Sequence, residues 1–237
     1  GDGTLTVFAT KTVSSNNGNI VVTAWDIDLL GGVTAGTAVI SIHGAQSGQT
    51  IGLGSVPSPA PNMAIVGTEL QRISASGGAM IGNSFNGDVN AAGVLATNSN
   101  SLACLVSLRA DADDKHVTFQ SASSTFYALN AQADKGIKVM ANVITTTGAI
   151  RFDGDTDNSA DSLDTVSFTD GRMVKATTVL TLESTSSGIV SNGLLTLFAG
   201  SGVQLHDSIT GVLSGKQLVL NADSDSNGDG TLTVSAT

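Results

Sequence analysis

The stretch Gly1-Asp2-Gly3-Thr4-Leu5-Thr6-Val7-Phe8-Ala9-Thr10 opens the chain, and it returns as Gly228-Asp229-Gly230-Thr231-Leu232-Thr233-Val234-Ser235-Ala236-Thr237. The copies begin at residues 1 and 228, a period of 227 residues, and they differ only at Phe8 and Ser235. Segments repeated at a fixed spacing are typical of stacked, quasi-one-dimensional proteins. The sequence therefore predicts that residues 1–237 are a single β-solenoid repeat unit of a tandem array, with residues 228–237 beginning the next copy. The alternative is a common strand-and-turn phrase used twice.

Short segments of alternating apolar and polar residues, separated by glycine, continue outward from the first copy. Alternation predicts strands, and glycine supplies the positive φ that tight corners require. Ile20 and Ile40 are 20 residues apart, and Leu195 and Leu218 are 23 apart, which is the length of one three-strand coil. We therefore predict an all-β, right-handed parallel β-helix (β-solenoid) of roughly ten coils. A β-sandwich of about ten strands is the alternative.

The composition suits thin layers of small side chains better than one large core. Aromatic residues make up 4% of the chain and charged residues 13%, and there are 28 glycines. Eighteen of the 20 acidic residues are aspartates, which favour turns. A net charge of −10 repels nucleic acid and anionic lipid. The sequence contains no run of 18 apolar residues, so it predicts no membrane-spanning segment. We expect neither partner.

Residues 55–76 interrupt the strand pattern. The three prolines of the chain, Pro57, Pro59 and Pro61, predict a loop that leaves the column. The segment Thr68–Ile73 then has the pattern of one helical turn with Thr68 as its N-cap. We predict a loop and a short helical excursion over 55–76.

Two aspartate-rich segments have the spacing of calcium loops. Carboxylates at loop positions 1, 3, 5, 9 and 12 match the oxygen ligands of a twelve-residue calcium loop. In the first segment these positions are filled by Asp153, Asp155, Asp157, Asp161 and Asp164. Asn158 stands where that loop has glycine, and Asp164 is shorter than the usual glutamate.

The second segment keeps half of such a loop. The candidate ligands are Asp223, Asp225, Asn227 and Asp229, and Gly228 occupies position 6, but Val234 occupies position 12. Asp2 would complete the corresponding loop of a preceding copy, so we predict a Ca²⁺ site at a repeat junction that also includes Leu5, Val7, Leu232 and Val234. For both segments, a solvated turn rich in aspartate is the alternative.

Several phrases in the first 95 residues resemble the repeats of filamentous-haemagglutinin-like and autotransporter-type adhesins, and of giant repeat proteins of unicellular algae. The phrases that carry the resemblance are Gly18–Leu29, Thr34–Gly36, Gln49–Gly54, Thr68–Ile73, Met80–Gly82 and Gly87–Val89. The resemblance implies a right-handed β-helix with an extracellular structural or adhesive role. The segment around Asp113-Asp114-Lys115-His116 lies outside it.

Catalytic motifs are weak in this sequence. Asp111, Asp113 and Asp114 with His116 could imitate the acidic groups of β-helix polysaccharide enzymes, although a polar corner is the simpler interpretation. Cys104 is the only cysteine and lies in an apolar run, which predicts a buried residue.

The leading functional hypothesis is a non-enzymatic structural subunit of an extracellular or cell-surface filament. Neighbouring copies would stack end to end, with the last coil of one copy pairing with the first coil of the next. Both copies of the decapeptide are therefore expected to have like surroundings. Glycans or other filament proteins are further candidate partners. An adhesin stalk and a carbohydrate-active β-helix enzyme are the alternatives.

Overall fold

The computed structural model describes residues 3–55, 59–160 and 163–235. Every strand pairing in these ranges is parallel, and with one exception described below, successive strands of each sheet come from successive turns of the chain. The parallel β-solenoid prediction is confirmed. A β-sandwich is excluded because its sheets are antiparallel. The handedness stays a prediction.

The described residues form nine coils of three positions each. The first three coils contain β1 (Thr4–Val7), β2 (Thr12–Ser14), β3 (Ile20–Ala24), β4 (Asp26–Leu29), β5 (Gly32–Gly36), β6 (Val39–Gly44), an additional strand β7 (Ile51–Gly54), β8 (Met63–Val66), α1 (Gly67–Leu70), β9 (Ile73–Ala75) and β10 (Gly78–Gly82).

The remaining six coils follow the same order. They contain β11 (Val89–Ala92), α2 (Ala96–Ser99), β12 (Leu105–Ala110), β13 (Val117–Phe119), β14 (Ser124–Phe126), β15 (Ala128–Ala133), β16 (Ile137–Val139), β17 (Val143–Thr145), β18 (Ile150–Asp153), β19 (Val166–Phe168), β20 (Arg172–Ala176), β21 (Val179–Glu183), β22 (Ile189–Ser191), β23 (Leu195–Ala199), β24 (Gly202–Leu205), β25 (Ile209–Gly211), β26 (Leu218–Asn221) and β27 (Leu232–Val234).

The three positions of a coil define three faces of the column. Face one holds the first strand of each coil, and a bond from the Ala64 amide to Asp26 Oδ1 (3.1 Å) joins its β1–β4 pair to β8 and the strands beyond. Face two holds the second position, where α2 takes the place of a strand between β9 and β14. Face three is one uninterrupted sheet of nine strands from β3 to β27.

Columns of apolar side chains run through the interior along each face. On face three one buried column is in perfect register from coil to coil and consists of Ile40, Ala79, Val106, Leu129, Ile150, Leu180 and Val203. The rings of Phe119 on face one and Phe152 on face three stack inside the column with centroids 5.3 Å apart. The alternation of the sequence therefore places one thin apolar layer in each coil.

The region 55–76 differs from the loop and helical excursion that the sequence predicts. Strands β8 and β9 return to the column within it, and the N-cap of α1 is Val66 rather than the predicted Thr68. Strand β7 comes before β8 in the chain but lies beyond it in the stack, between β8 and β11. The chain therefore steps back by one rung here. Pro57 lies outside the described residues.

A buried glutamate stabilises this step. Glu69 is 8% exposed, and its carboxylate accepts hydrogen bonds from the amides of Leu29 on β4 (3.1 Å) and Val66 (2.9 Å). Burial raises the pKa of Glu69 above its ordinary value, because desolvation outweighs these two hydrogen bonds and Asp26 and Asp28 add repulsion.

We predict that replacing Phe152 with alanine lowers the free energy of unfolding by about 3–5 kcal/mol, since a buried aromatic ring leaves a cavity. Urea unfolding of the protein measures this change. Phe85→Ala is the matched control, because Phe85 is 51% exposed, and we expect a change of about 0.5 kcal/mol or less. Equal losses for the two variants would contradict the layered core.

We predict a pH dependence that belongs to Glu69. Because its pKa in the folded state is raised, its contribution to stability is fully present below its unfolded-state pKa and is lost as the pH rises through the folded-state pKa. The difference in unfolding free energy between the protein and Glu69→Gln should therefore fall between acidic and neutral pH. Urea unfolding across that range tests it, and a difference that stays constant or grows would contradict the buried carboxylate.

Candidate functional site

The copied strand at the end of the column is β27. Leu232 pairs with Val203 and Val234 pairs with Leu205, so both continue the inward columns of face three. The Ser235 amide extends the ladder by donating to the Leu205 carbonyl (2.9 Å). Within the described residues nothing pairs with the outer edge of β27, and Leu232 and Val234 are 49% and 63% exposed. Strand β27 is therefore an open terminal rung, with one unpaired edge and exposed apolar side chains.

The same sequence at the start of the chain, β1, already has a strand against its corresponding edge. Leu5 pairs with Ile27 and Val7 with Leu29 of β4, and Val7 is 4% exposed. Hydrogen bonds from the Trp25 amide to Gly3 (2.8 Å) and from the Leu30 amide to Val7 (2.9 Å) flank the pair. Asp2 lies outside the described residues.

The two copies share an inward Leu-Thr-Val pattern but lie on different faces. Strand β1 is the first position of its coil and belongs to face one, whereas β27 is the third position and belongs to face three. This differs from the like surroundings that the sequence predicts. The physical reason is that the chain between the copies does not contain a whole number of three-position coils.

The first aspartate segment forms a corner between β18 and β19. Asp153 lies 3.1 Å from Arg151, Asp155 accepts a hydrogen bond from the Ser186 amide (2.7 Å), and Asp157 accepts one from the Ser159 amide (2.9 Å). Asp164 is buried, and its carbonyl accepts a hydrogen bond from the Ser184 hydroxyl. Asp161 lies outside the described residues. No three of the described carboxylates of this segment lie within 4.8 Å of one another.

The second aspartate segment forms the corner between β26 and β27. Carboxylate oxygens of Asp223, Asp225 and Asp229 lie within 4.8 Å of one another, the one such acidic group in the described part of the chain. Asp223 accepts hydrogen bonds from the amides of Asn227 and Gly228 (both 3.1 Å), and the Asn227 side-chain amide donates to Asp225 (3.2 Å). These bonds are those of an aspartate turn.

The oxygen donors of this corner supply part of what Ca²⁺ needs. Calcium takes six to eight oxygens. The corner brings three carboxylates together. The side-chain oxygen of the predicted ligand Asn227 accepts a hydrogen bond from the backbone amide of Asp229 (3.0 Å). Calcium binding therefore stays a prediction from the sequence.

Two of the three acidic residues of the enzyme hypothesis, Asp111 and Asp114, are ion-paired. Asp111 lies 2.6 Å from Arg109, and Asp114 pairs with Lys135, which lowers the pKa of the Asp114 carboxyl. Burial raises the pKa of Asp111 although Arg109 opposes it. Burial, with Lys138, lowers the pKa of His116, so its imidazole is neutral at neutral pH. These contacts are those of a polar corner.

Sequence reasoning missed three buried polar side chains that fix the early corners. They are Glu69, Gln49 and Asn86. The side-chain amide of Gln49 donates hydrogen bonds to the carbonyls of Ala24 (3.2 Å) and Trp25 (2.7 Å). The side-chain oxygen of Asn86 accepts a hydrogen bond from the backbone amide of Gly44 (3.0 Å). Glu69 had a compositional signal, because it is one of only two glutamates in the chain. Gln49 and Asn86 had none.

Comparison with protein-family models, with curated proteins and with solved structures found no match. The two helices in the described ranges, α1 and α2, have four residues each, and the search for a helix able to cross a membrane found none there.

The calcium prediction is tested by isothermal titration of the protein with CaCl₂. We expect saturable Ca²⁺ binding, and we expect Asp225→Asn to abolish it because the Asp225 carboxylate lies at the centre of the second segment. Asp157→Asn is the matched control and should leave this binding unchanged, since Asp157 lies in the other segment. A titration without saturable heat would reduce the corner to a hydrogen-bonded turn.

Proposed function

We propose that this chain is a structural repeat of an extracellular or cell-surface filament, in which copies stack end to end into one β-solenoid. The observation that carries the proposal is the identity between β1 and the open terminal rung β27. Because β1 binds β4 along one edge, β27 has the same residues with which to bind the β4 of a following copy.

The chemistry of the terminal coil supports this stacking. Its exposed apolar side chains are Val212, Leu213, Leu218, Leu232 and Val234. An uncapped solenoid end leaves both this apolar surface and the polar groups of the strand edges without partners. A further coil of the same width covers the apolar layer and pairs the backbone groups at once.

The role proposed is mechanical. Parallel hydrogen-bonded ladders run along the column, without a break on face three, so backbone hydrogen bonds resist a pull along the axis. Few charged residues and many small ones allow uniform thin layers from coil to coil. The extracellular setting comes from the resemblance to adhesin-type repeats. The ion-paired state of Asp111 and Asp114 gives the enzyme alternative no specific support.

We predict that the cost of removing the Leu232 side chain depends on whether a copy follows. In the 237-residue protein Leu232 is half exposed, so Leu232→Ala should cost about 1 kcal/mol or less. In a two-copy chain, residues 1–227 followed by residues 1–237, the same change at the internal junction should cost about 2–5 kcal/mol, because the side chain is buried there.

Urea unfolding of the two pairs of proteins measures this difference, with Thr233→Ala as the control. Thr233 lies between the two inward residues on the outer side of β27, so its replacement should have a similar small effect in both chains. Equal costs for Leu232→Ala with and without a following copy would contradict end-to-end stacking.

A further inference from the structure

The position of β27 determines how a following copy is oriented. Residues 231–234 are both the last strand of this unit and, by sequence, the first strand of the next one. In this unit they lie on face three, whereas the equivalent residues 4–7 lie on face one. One repeat, counted up to the strand that begins the next copy, therefore occupies the positions from β1 to β26 and is one position short of nine full coils.

We propose that each copy in the array is turned by one face relative to the copy before it. This inference rests on the proposed function, because it assumes that copies stack. Face one of the following copy continues face three of this one, its face two continues face one, and its face three continues face two. Three copies restore the original orientation.

The spacing along the chain supports this register. Leu5 and Ile20 of the first coil are fifteen residues apart, and Val203 and Leu218 are also fifteen apart. Because Leu232, the copy of Leu5, lies on Val203, the next copy's Ile20 reaches the level of Leu218. Leu180 on face three and Leu195 on face two of the next coil show the same fifteen-residue step in the existing column.

The side chains that meet in this register match in character. On β26, Leu218 and Leu220 pair with the buried Leu195 and Leu197 and so face inward, and Leu218 is 42% exposed at the end of the column. On β3, Ile20 and Val22 pair with Ile40 and Ile42 and face inward as well. The next copy's β3 therefore continues the apolar columns of β26 without a polar residue entering the interior.

A filament built in this way has a threefold screw. One copy advances the axis by about 40 Å and a full turn takes about 120 Å, at roughly 4.8 Å per rung. The charged outer side of face three, which holds Arg109, Arg151 and Glu183, then points in three directions along the filament. Lateral partners that recognise it meet equivalent sites on all sides.

Cysteine cross-linking in the two-copy chain tests the orientation. Val219 lies between Leu218 and Leu220 on the outer side of β26, and Val21 is the outward residue of β3. We expect Val219→Cys of the first copy to form a disulfide with Val21→Cys of the second, because neighbouring strands bring Cα atoms to about 5 Å, within disulfide range. Both copies carry Cys104→Ala to remove the free thiol.

A second pair provides the matched alternative. Gln204 is the outward residue of β24 on face three, and Gln204→Cys would cross-link to the second copy's Val21→Cys only if the copies stack without turning. Cross-linking of the Gln204 pair and not the Val219 pair would overturn the turn by one face while leaving stacking intact. Cross-linking of neither pair would overturn both proposals, provided that circular dichroism shows the variants folded.

Discussion

The fold depends on one constraint, which is that every rung of a parallel ladder needs a rung on each side. On face three each interior strand pairs with the coil before and the coil after it. At the two breaks on the other faces, the hydrogen bond from Ala64 to Asp26 and the helix α2 take the place of a paired strand. The thin apolar layers are stable because each lies between two others of the same width. Among the described residues of face three, only the end strands β3 and β27 lack such a neighbour, so the ends of the column are where a partner is expected.

The general architecture could be predicted from the sequence because alternation and glycine corners are local signals. Ile20–Ala24 and Val39–Ile42 have a period of two that no neighbour needs to supply. The reversed order of β7 and β8 could not be predicted, because Ile51–Gly54 and Met63–Val66 have equivalent apolar patterns and either could occupy either rung. Strand β8 lies next to β4, and Glu69 links them by accepting hydrogen bonds from the Val66 and Leu29 amides; the bond to Leu29 joins residues 40 apart in the chain, which no local pattern reveals.

The candidate sites were less predictable for a related reason. Spacing places carboxylates along a loop but does not say whether they turn towards one point or towards nearby amides. Asp155 and Asp157 bind the backbone amides of Ser186 and Ser159, whereas Asp223, Asp225 and Asp229 approach one another. The face on which β27 lies could not be predicted either. The coils differ in length, so the number of residues between two strands does not tell on which face the second strand lies.

Amide hydrogen exchange tests most directly whether the outer edge of β27 pairs with the next coil when a second copy follows. In the 237-residue protein, the amides of Leu232 and Val234, which lie on the outer edge of the strand, should exchange rapidly. In the two-copy chain, the same amides should become as protected as those of β24, since the following β4 covers them. Exchange that stays as fast with a second copy attached would contradict the account.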